Sequence, residues 1–184
     1  TIDEFEQHLL DGDRWIELAN GHLRRLNPPD DAHGDVVRNL ARSLATCLKK
    51  SQEVYACFEL PLVLDRVQPT VRCPAVSCFR FVPGERFAET DKVLSDSCPA
   101  LVIEIASSNE RRQGMSDRVN AYFDWGVESL VVIDSVMRNV HHFPDQYRPR
   151  LLKEPQVLDG LPMLAGFSIR VSELFKQPTW MNVK

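Results

Sequence analysis

Within the run Pro99 to Ser107, PALVIEIAS, one carboxylate, Glu104, interrupts an otherwise apolar stretch. Leu101, Val102, Ile103 and Ile105 are apolar at successive rather than alternating positions, the pattern of a central strand covered on both faces. A bare carboxylate there is costly, so Glu104 must meet a cation, bind a metal or take up a proton, unless it lies at a strand end and reaches water past the sheet edge. Other groups offer less. Glu17 belongs to a segment around Asn20-Gly21 in which it falls opposite Arg24, so a cross-strand ion pair competes with any site role. His33 stands at a helix start, where a lone His is more often a surface or capping residue than a ligand. His141 and His142 are neighbours in a strand-like run and point to opposite faces, so with Asp145 they make no simple chelate. Cys73 and Cys78 likewise face opposite ways. The chain has no phosphate-binding Gly loop, no GxSxG and no HExxH.

The elements that must position these groups follow in order. Thr1 and Glu4 form a capping-box pattern for a short helix carrying Ile2, Phe5 and Leu9. Trp15 to Ala19 and His22 to Leu26 read as a hairpin, because Asn-Gly is the preferred pair where both turn residues need positive φ. Pro28-Pro29-Asp30-Asp31 stops it and caps a helix from Ala32 to Lys50, with Val37, Leu40, Leu44 and Leu48 as its stripe and Val36 and Cys47 beside them. Arg38, Arg42 and Lys49 lie off that stripe, on a solvated face open to phosphate. Glu53 to Leu64 and Thr70 to Phe81 are strand-like, and Pro74 marks an edge, a bulge or a strand start. Gly84 to Cys98 reads as a loop with a short helix around Asp91 to Leu94. After the central strand come a helix from Glu110 to Trp125, a strand Leu130 to Asp134, a hairpin partner Val140 to Phe143, and a closing strand and short helix within Leu161 to Lys176. Strand, helix, strand in succession is a βαβ crossover with parallel strands.

At 184 residues, 43% hydrophobic and 26% charged, the composition fits one soluble domain, 1–176, with a tail over 177–184. No apolar run reaches membrane-spanning length and no leader pattern opens the sequence, which points to a cytoplasmic protein with no membrane partner. Five cysteines without a CxxC pair indicate neither a disulfide framework nor a zinc ribbon. A net charge of -4 argues against indiscriminate nucleic-acid binding, though not against a local basic cleft.

Five stretches, in order, resemble the Uma-two family of restriction-endonuclease-like proteins within the PD-(D/E)XK nuclease superfamily. WIELANGHL resembles its "YELIDGEL" hairpin, NPPDDAHGDVVRNL its "SPPS..H..I...L", and PALVIEIASS its "PDLVVEVLSP". DRVNAYFDWGVESLVVIDS resembles "KL..Y...GV.EYWLVDP", and LPMLAGFSIRVSELF resembles "LPGF.L.V.ELF". The resemblance implies an α/β fold: a restriction-endonuclease-like mixed sheet with flanking helices and one βαβ crossover, preceded by an N-terminal helix and hairpin. It implies a metal-dependent DNA endonuclease using Mg²⁺ or Mn²⁺, and a homodimer. In such a site an Asp and a Glu hold the cation beside the phosphate, a backbone carbonyl (here Ile105) completes the shell, and a Lys positions water. This sequence departs from that pattern. Glu104 matches, but the Asp aligns with Ala75 and the Lys with Arg118, a cation that does not deprotonate in proteins. One expectation is therefore a degraded, weak or inactive nuclease in which Arg118 pairs with Glu104 and no metal is required. A second keeps the enzyme active, with Glu17, Glu59, Asp65 or Asp96 replacing the lost Asp. A third is a non-catalytic module for DNA binding or self-association, with Arg24, Arg25, Arg38 and Arg42 as phosphate contacts.

Overall fold

The computed structural model describes residues 1–51, 53–90 and 93–182, with backbone alone at 109, 110, 181 and 182. Helix α1 (Ile2–Leu10) opens on the expected capping box and buries Ile2 and Phe5. Strands β1 (Ile16–Ala19) and β2 (His22–Arg25) pair across Asn20 and Gly21, whose φ values of 49° and 78° are those a tight primed turn requires. The strand starts later than the sequence pattern suggests, because Trp15 stands outside it at a φ of 51°. Asp30 caps α2 (Asp31–Leu48), accepting the His33 N–H at 2.8 Å, and the helix buries Val36, Leu40, Leu44 and Cys47. The stripe is centred on Val36, with Val37 and Leu48 only partly covered.

The two stretches read as continuous strands are each broken, and together they form one long bent hairpin. Its base, β3 (Val54–Phe58) with β6 (Val76–Arg80), pairs in the large sheet; its tip, β4 (Leu62–Asp65) with β5 (Thr70–Arg72), pairs in the small one. Pro74, with no N–H for a ladder, falls in the bend. Glu59, at a φ of 51°, donates its N–H to the Ala75 carbonyl at 3.2 Å, and the Cys73 thiol lies 3.1 Å from the Glu59 carbonyl. Of the short helix expected around Asp91 to Leu94, Asp91 and Lys92 lie outside the described residues, while Val93 and Leu94 bend into a bridge between Ser95 and Leu62.

Strands β7 (Leu101–Ala106) and β8 (Ser129–Asp134) are parallel, as the βαβ pattern requires. The helix expected between them is two pieces, α3 (Asn109–Arg112) and α4 (Met115–Trp125), parted at Gly114, whose φ of 69° ends one and starts the other. Strand β9 (Asn139–Phe143) adds antiparallel, and β10 (Arg150–Lys153), unforeseen in the sequence, forms the edge of the order β10-β9-β8-β7-β6-β3. Strands β11 (Val157–Asp159) and β12 (Ser168–Arg170) pair separately before α5 (Val171–Leu174). A 3₁₀ turn over Thr179–Asn182 stands where a frayed tail is expected.

The large sheet is covered on both faces. Leu101, Ile103 and Ile105 of β7 pack with α2 and α5, and Val102 and Ala106 pack with Val119 and Tyr122 of α4. By strand parity Glu104 belongs to the α4 face. The small sheet, order β2-β1-β5-β4, packs Ile16, Leu18, Val63 and Val71 against α1. Among the described residues no helix is long and apolar enough to cross a membrane.

Candidate functional site

Glu104 does not reach water past a sheet edge; it is 4% exposed. From α4, Arg118 and Tyr122, one helical turn apart, both reach it. Arg118 donates to Glu104 Oε1 from Nη2 at 2.7 Å and from Nε at 3.1 Å, and the Tyr122 hydroxyl donates to the same oxygen at 2.8 Å. The other edge of the guanidinium grips Glu17 bidentately, Nη1 to Oε2 at 2.5 Å and Nη2 to Oε1 at 2.8 Å. Glu17 also accepts from Arg72 Nη1 and from the Cys73 N–H, each at 3.1 Å. Arg118 thus stands between two buried carboxylates carried by different sheets, with Arg72 completing a charge-balanced quartet. The expected Glu17 to Arg24 pair does not form. Although Arg24 is opposite Glu17 in register, it is exposed, and the buried arginines win because no water competes for them.

Burial alone would raise the Glu17 pKa, but Arg118 first, then the Cys73 N–H and Arg72, hold it below its ordinary value. Burial likewise works against the charge on Arg118, yet Glu104 and Glu17 keep its pKa well above the usual value. The Tyr122 phenol is pushed well up by burial and then by Glu104, so it stays a donor.

Two adjoining cavities flank this quartet, sharing Leu26, Glu104, Ile105 and Arg111 as lining. The larger, about 550 Å³, is lined by Arg24, Arg25, Arg72, Arg111 and Arg118. The smaller, about 320 Å³, takes in Trp15, His33, Glu59, Cys73 and Ala75 beside Glu104. The register that sets Val76 opposite Ile103 brings Ala75 alongside Glu104 when continued one step. The bend of the long hairpin therefore builds the cavity wall at Ala75.

The residues here do not suit the divalent cation that the resemblance implies. Ala75 offers no side-chain oxygen, three donors already crowd Glu104 Oε1, and both Glu17 oxygens are engaged. Within the quartet two carboxylates are matched by two arginines, and among the described residues no three His, Cys, Asp or Glu side chains are grouped to hold a cation. Of the alternative ligands, Glu59 lines the smaller cavity. Asp96 instead forks with Arg66 at 2.8 Å, Asp65 caps a turn through the Val67 and Gln68 N–H groups, and neither lines either of these two cavities.

Three participants escaped the sequence reading. Tyr122 was legible in principle from its i, i+4 spacing to Arg118. Arg72 had no signal beyond its nearness to Pro74. His33, expected at the surface, is 5% exposed with neither ring nitrogen partnered, and it lines the smaller cavity with Trp15 and Leu26. Of the four phosphate candidates, Arg24 and Arg25 line the larger cavity. Arg38 instead ties α2 to the Lys176 carbonyl and to Asp35, and Arg42 lies beside Ser168 and Arg170.

Burial first, then Arg111, pushes His33 down to about 4, against a smaller opposing pull from Asp30. Between about pH 6.5 and that value the unfolded chain takes up a proton that the folded chain refuses, so stability falls as pH drops through this window and is unaffected above it. The loss expected between pH 7 and pH 5 is about 2 kcal/mol. Urea midpoints at the two pH values measure it, and His33→Gln removes that part of the slope; an unchanged slope in the variant would contradict a buried neutral imidazole.

A Glu-bearing central strand, an antiparallel neighbour beside it and a following helix that aims a cation at the Glu make this a restriction-endonuclease-like α/β fold. Residues 2–172 match the Uma2 family, described as "Putative restriction endonuclease", and the chain belongs to that family. The fold is similar to a crystal structure described as "a putative nuclease belonging to DUF820" from Anabaena variabilis, with a TM-score of 0.78, 17% identity, and coverage of 95% of this chain and 97% of that one. No curated protein matches the sequence.

Proposed function

We propose that this chain is a nuclease-fold protein that binds DNA through its basic cavity and hydrolyses it weakly or not at all. One observation carries the reading: the Arg118 guanidinium lies between Glu17 and Glu104, where the family chemistry calls for a cation, and pairs with both carboxylates. What remains for DNA is electrostatic. Arg24, Arg25 and Arg111 line the cavity beside the quartet and supply phosphate contacts, which carry affinity but little sequence information.

Purified protein mixed with plasmid and single-stranded DNA in the presence of Mg²⁺ or Mn²⁺ tests this. The expected result is salt-dependent binding without nicking. Nicking that Glu104→Ala abolishes would instead support an active metal-dependent enzyme with relocated ligands. Arg24→Ala, at an exposed position outside the quartet, should flatten the plot of log affinity against log salt by about one unit. The homodimer expected from the resemblance belongs to the same proposal; sedimentation with and without DNA reads it directly.

A further inference from the structure

The smaller cavity differs in character from the arginine-lined one it adjoins. Its wall includes Trp15 and Leu26, and its polar groups are Asp13, Arg14, His33, Glu59 and Cys73, with Glu104 and Arg111 shared between the two cavities. His33 is at least nine-tenths buried and both its ring nitrogens lack a protein partner, a costly arrangement in a native interior unless a ligand or a bound water uses them. Trp15 is 44% exposed and, like Glu59, holds a φ of 51°, a conformation bulky residues adopt only under constraint and one that concentrates at binding sites.

We propose that the cavity holds one unstacked nucleobase, with Trp15 as its stacking surface, His33 reading the base edge, and Arg111 holding the phosphate that joins it to the strand in the larger cavity. This rests on the nucleic-acid reading above and adds a site to it. The orientation follows from charge. The charged lining of the smaller cavity is Asp13, Glu59 and Glu104 against Arg14 and Arg111, whereas that of the larger is five arginines against Glu17, Glu104 and Asp117, so the phosphate stays with the arginines and the base enters. Carboxylates accept and do not donate, so they favour a base that offers an exocyclic amino group. His33, neutral at ordinary pH, offers one donor and one acceptor. Base-on-aromatic stacking and edge reading of an extruded base are the recurring means by which proteins take single bases. A volume of about 320 Å³ is within the range of small-ligand sites.

The protein is titrated with the 5′-monophosphates of deoxyadenosine, deoxycytidine and thymidine, with deoxyribose 5-phosphate, and with a single-stranded oligonucleotide, following tryptophan fluorescence and calorimetric heat. The expected result is fluorescence quenching lost in Trp15→Phe, and binding of the adenine and cytosine nucleotides at least fivefold tighter than thymidine monophosphate and tenfold tighter than the baseless sugar phosphate. His33→Leu should abolish the base preference and His33→Gln restore part of it, with circular dichroism confirming that each variant is folded. If deoxyribose phosphate competes as well as the nucleotides while the oligonucleotide still binds in a salt-dependent way, the base site is overturned and the DNA reading stands. If nucleotides bind with the stated preference and oligonucleotides do not, the base site stands and the DNA reading falls. If nothing binds, both fall.

Discussion

Arg118→Met should lower the free energy of unfolding by about 3 to 5 kcal/mol, the cost of leaving buried charges without their counter-ion. Glu104 would keep only the Tyr122 hydroxyl, and Glu17 only Arg72 and the Cys73 N–H. The deficit should narrow as pH falls into the carboxylate range. In the natural protein Arg118 holds the Glu17 pKa down, so its contribution is present above the unfolded carboxylate pKa and fades as pH drops through the folded one. In the variant the stranded Glu17 carboxyl takes up its proton earlier and loses less. Urea unfolding at two pH values measures both effects, and adding Glu104→Gln to Arg118→Met should recover part of the loss. A change below about 1 kcal/mol would mean that the quartet is solvated, contrary to the burial seen here.

The second large effect is a gain. Ala75→Asp combined with Arg118→Lys puts a carboxylate beside Glu104 and replaces the fixed fork by a single mobile ammonium, which frees oxygens on both glutamates. Without metal the variant should be less stable than the natural chain, because a second carboxylate has been placed at a position that is 6% exposed. With Mn²⁺ that loss should reverse: calorimetry is expected to show Mn²⁺ affinity about 100-fold or more above that of the natural chain, since even groups behind the first ligands change affinity by about 10 to 100-fold. Metal-dependent nicking of plasmid would follow. A folded variant whose melting temperature ignores Mn²⁺ would show that these two positions are not what separates this site from a metal centre.

The central strand, the hairpin turn at Asn20-Gly21 and the βαβ crossover were legible because each rests on local physics: an unbroken apolar run, a residue pair suited to positive φ, and a switch of period from strand to helix. The burial problem posed by Glu104 was legible as well. Its surroundings were less so. Glu17 and Arg118 are far apart in the chain, and nothing in the spacing of either announces that their side chains share a guanidinium fork. The exposed partner in register, Arg24, was the nearer choice on sequence distance and the poorer one on dielectric grounds. The two broken strands show a related difficulty. Alternation continues through Glu59 and Cys73, so the pattern reads as one strand while the chain passes from one sheet to the other. Gly114 splits a helix whose apolar stripe gives no warning, and edge strand β10, mostly exposed, carries little pattern to find.

The paired bend in the long hairpin has a mechanical meaning. The small sheet hangs from the large one like a leaf on a double-knuckled hinge at residues 59–61 and 73–75, and Glu17, carried on the leaf, is bolted to Arg118 on the frame. That one side chain thus joins the two sheets and supplies positive charge to the cavity floor, so exchanging it alters a structural tie and the local electrostatics together.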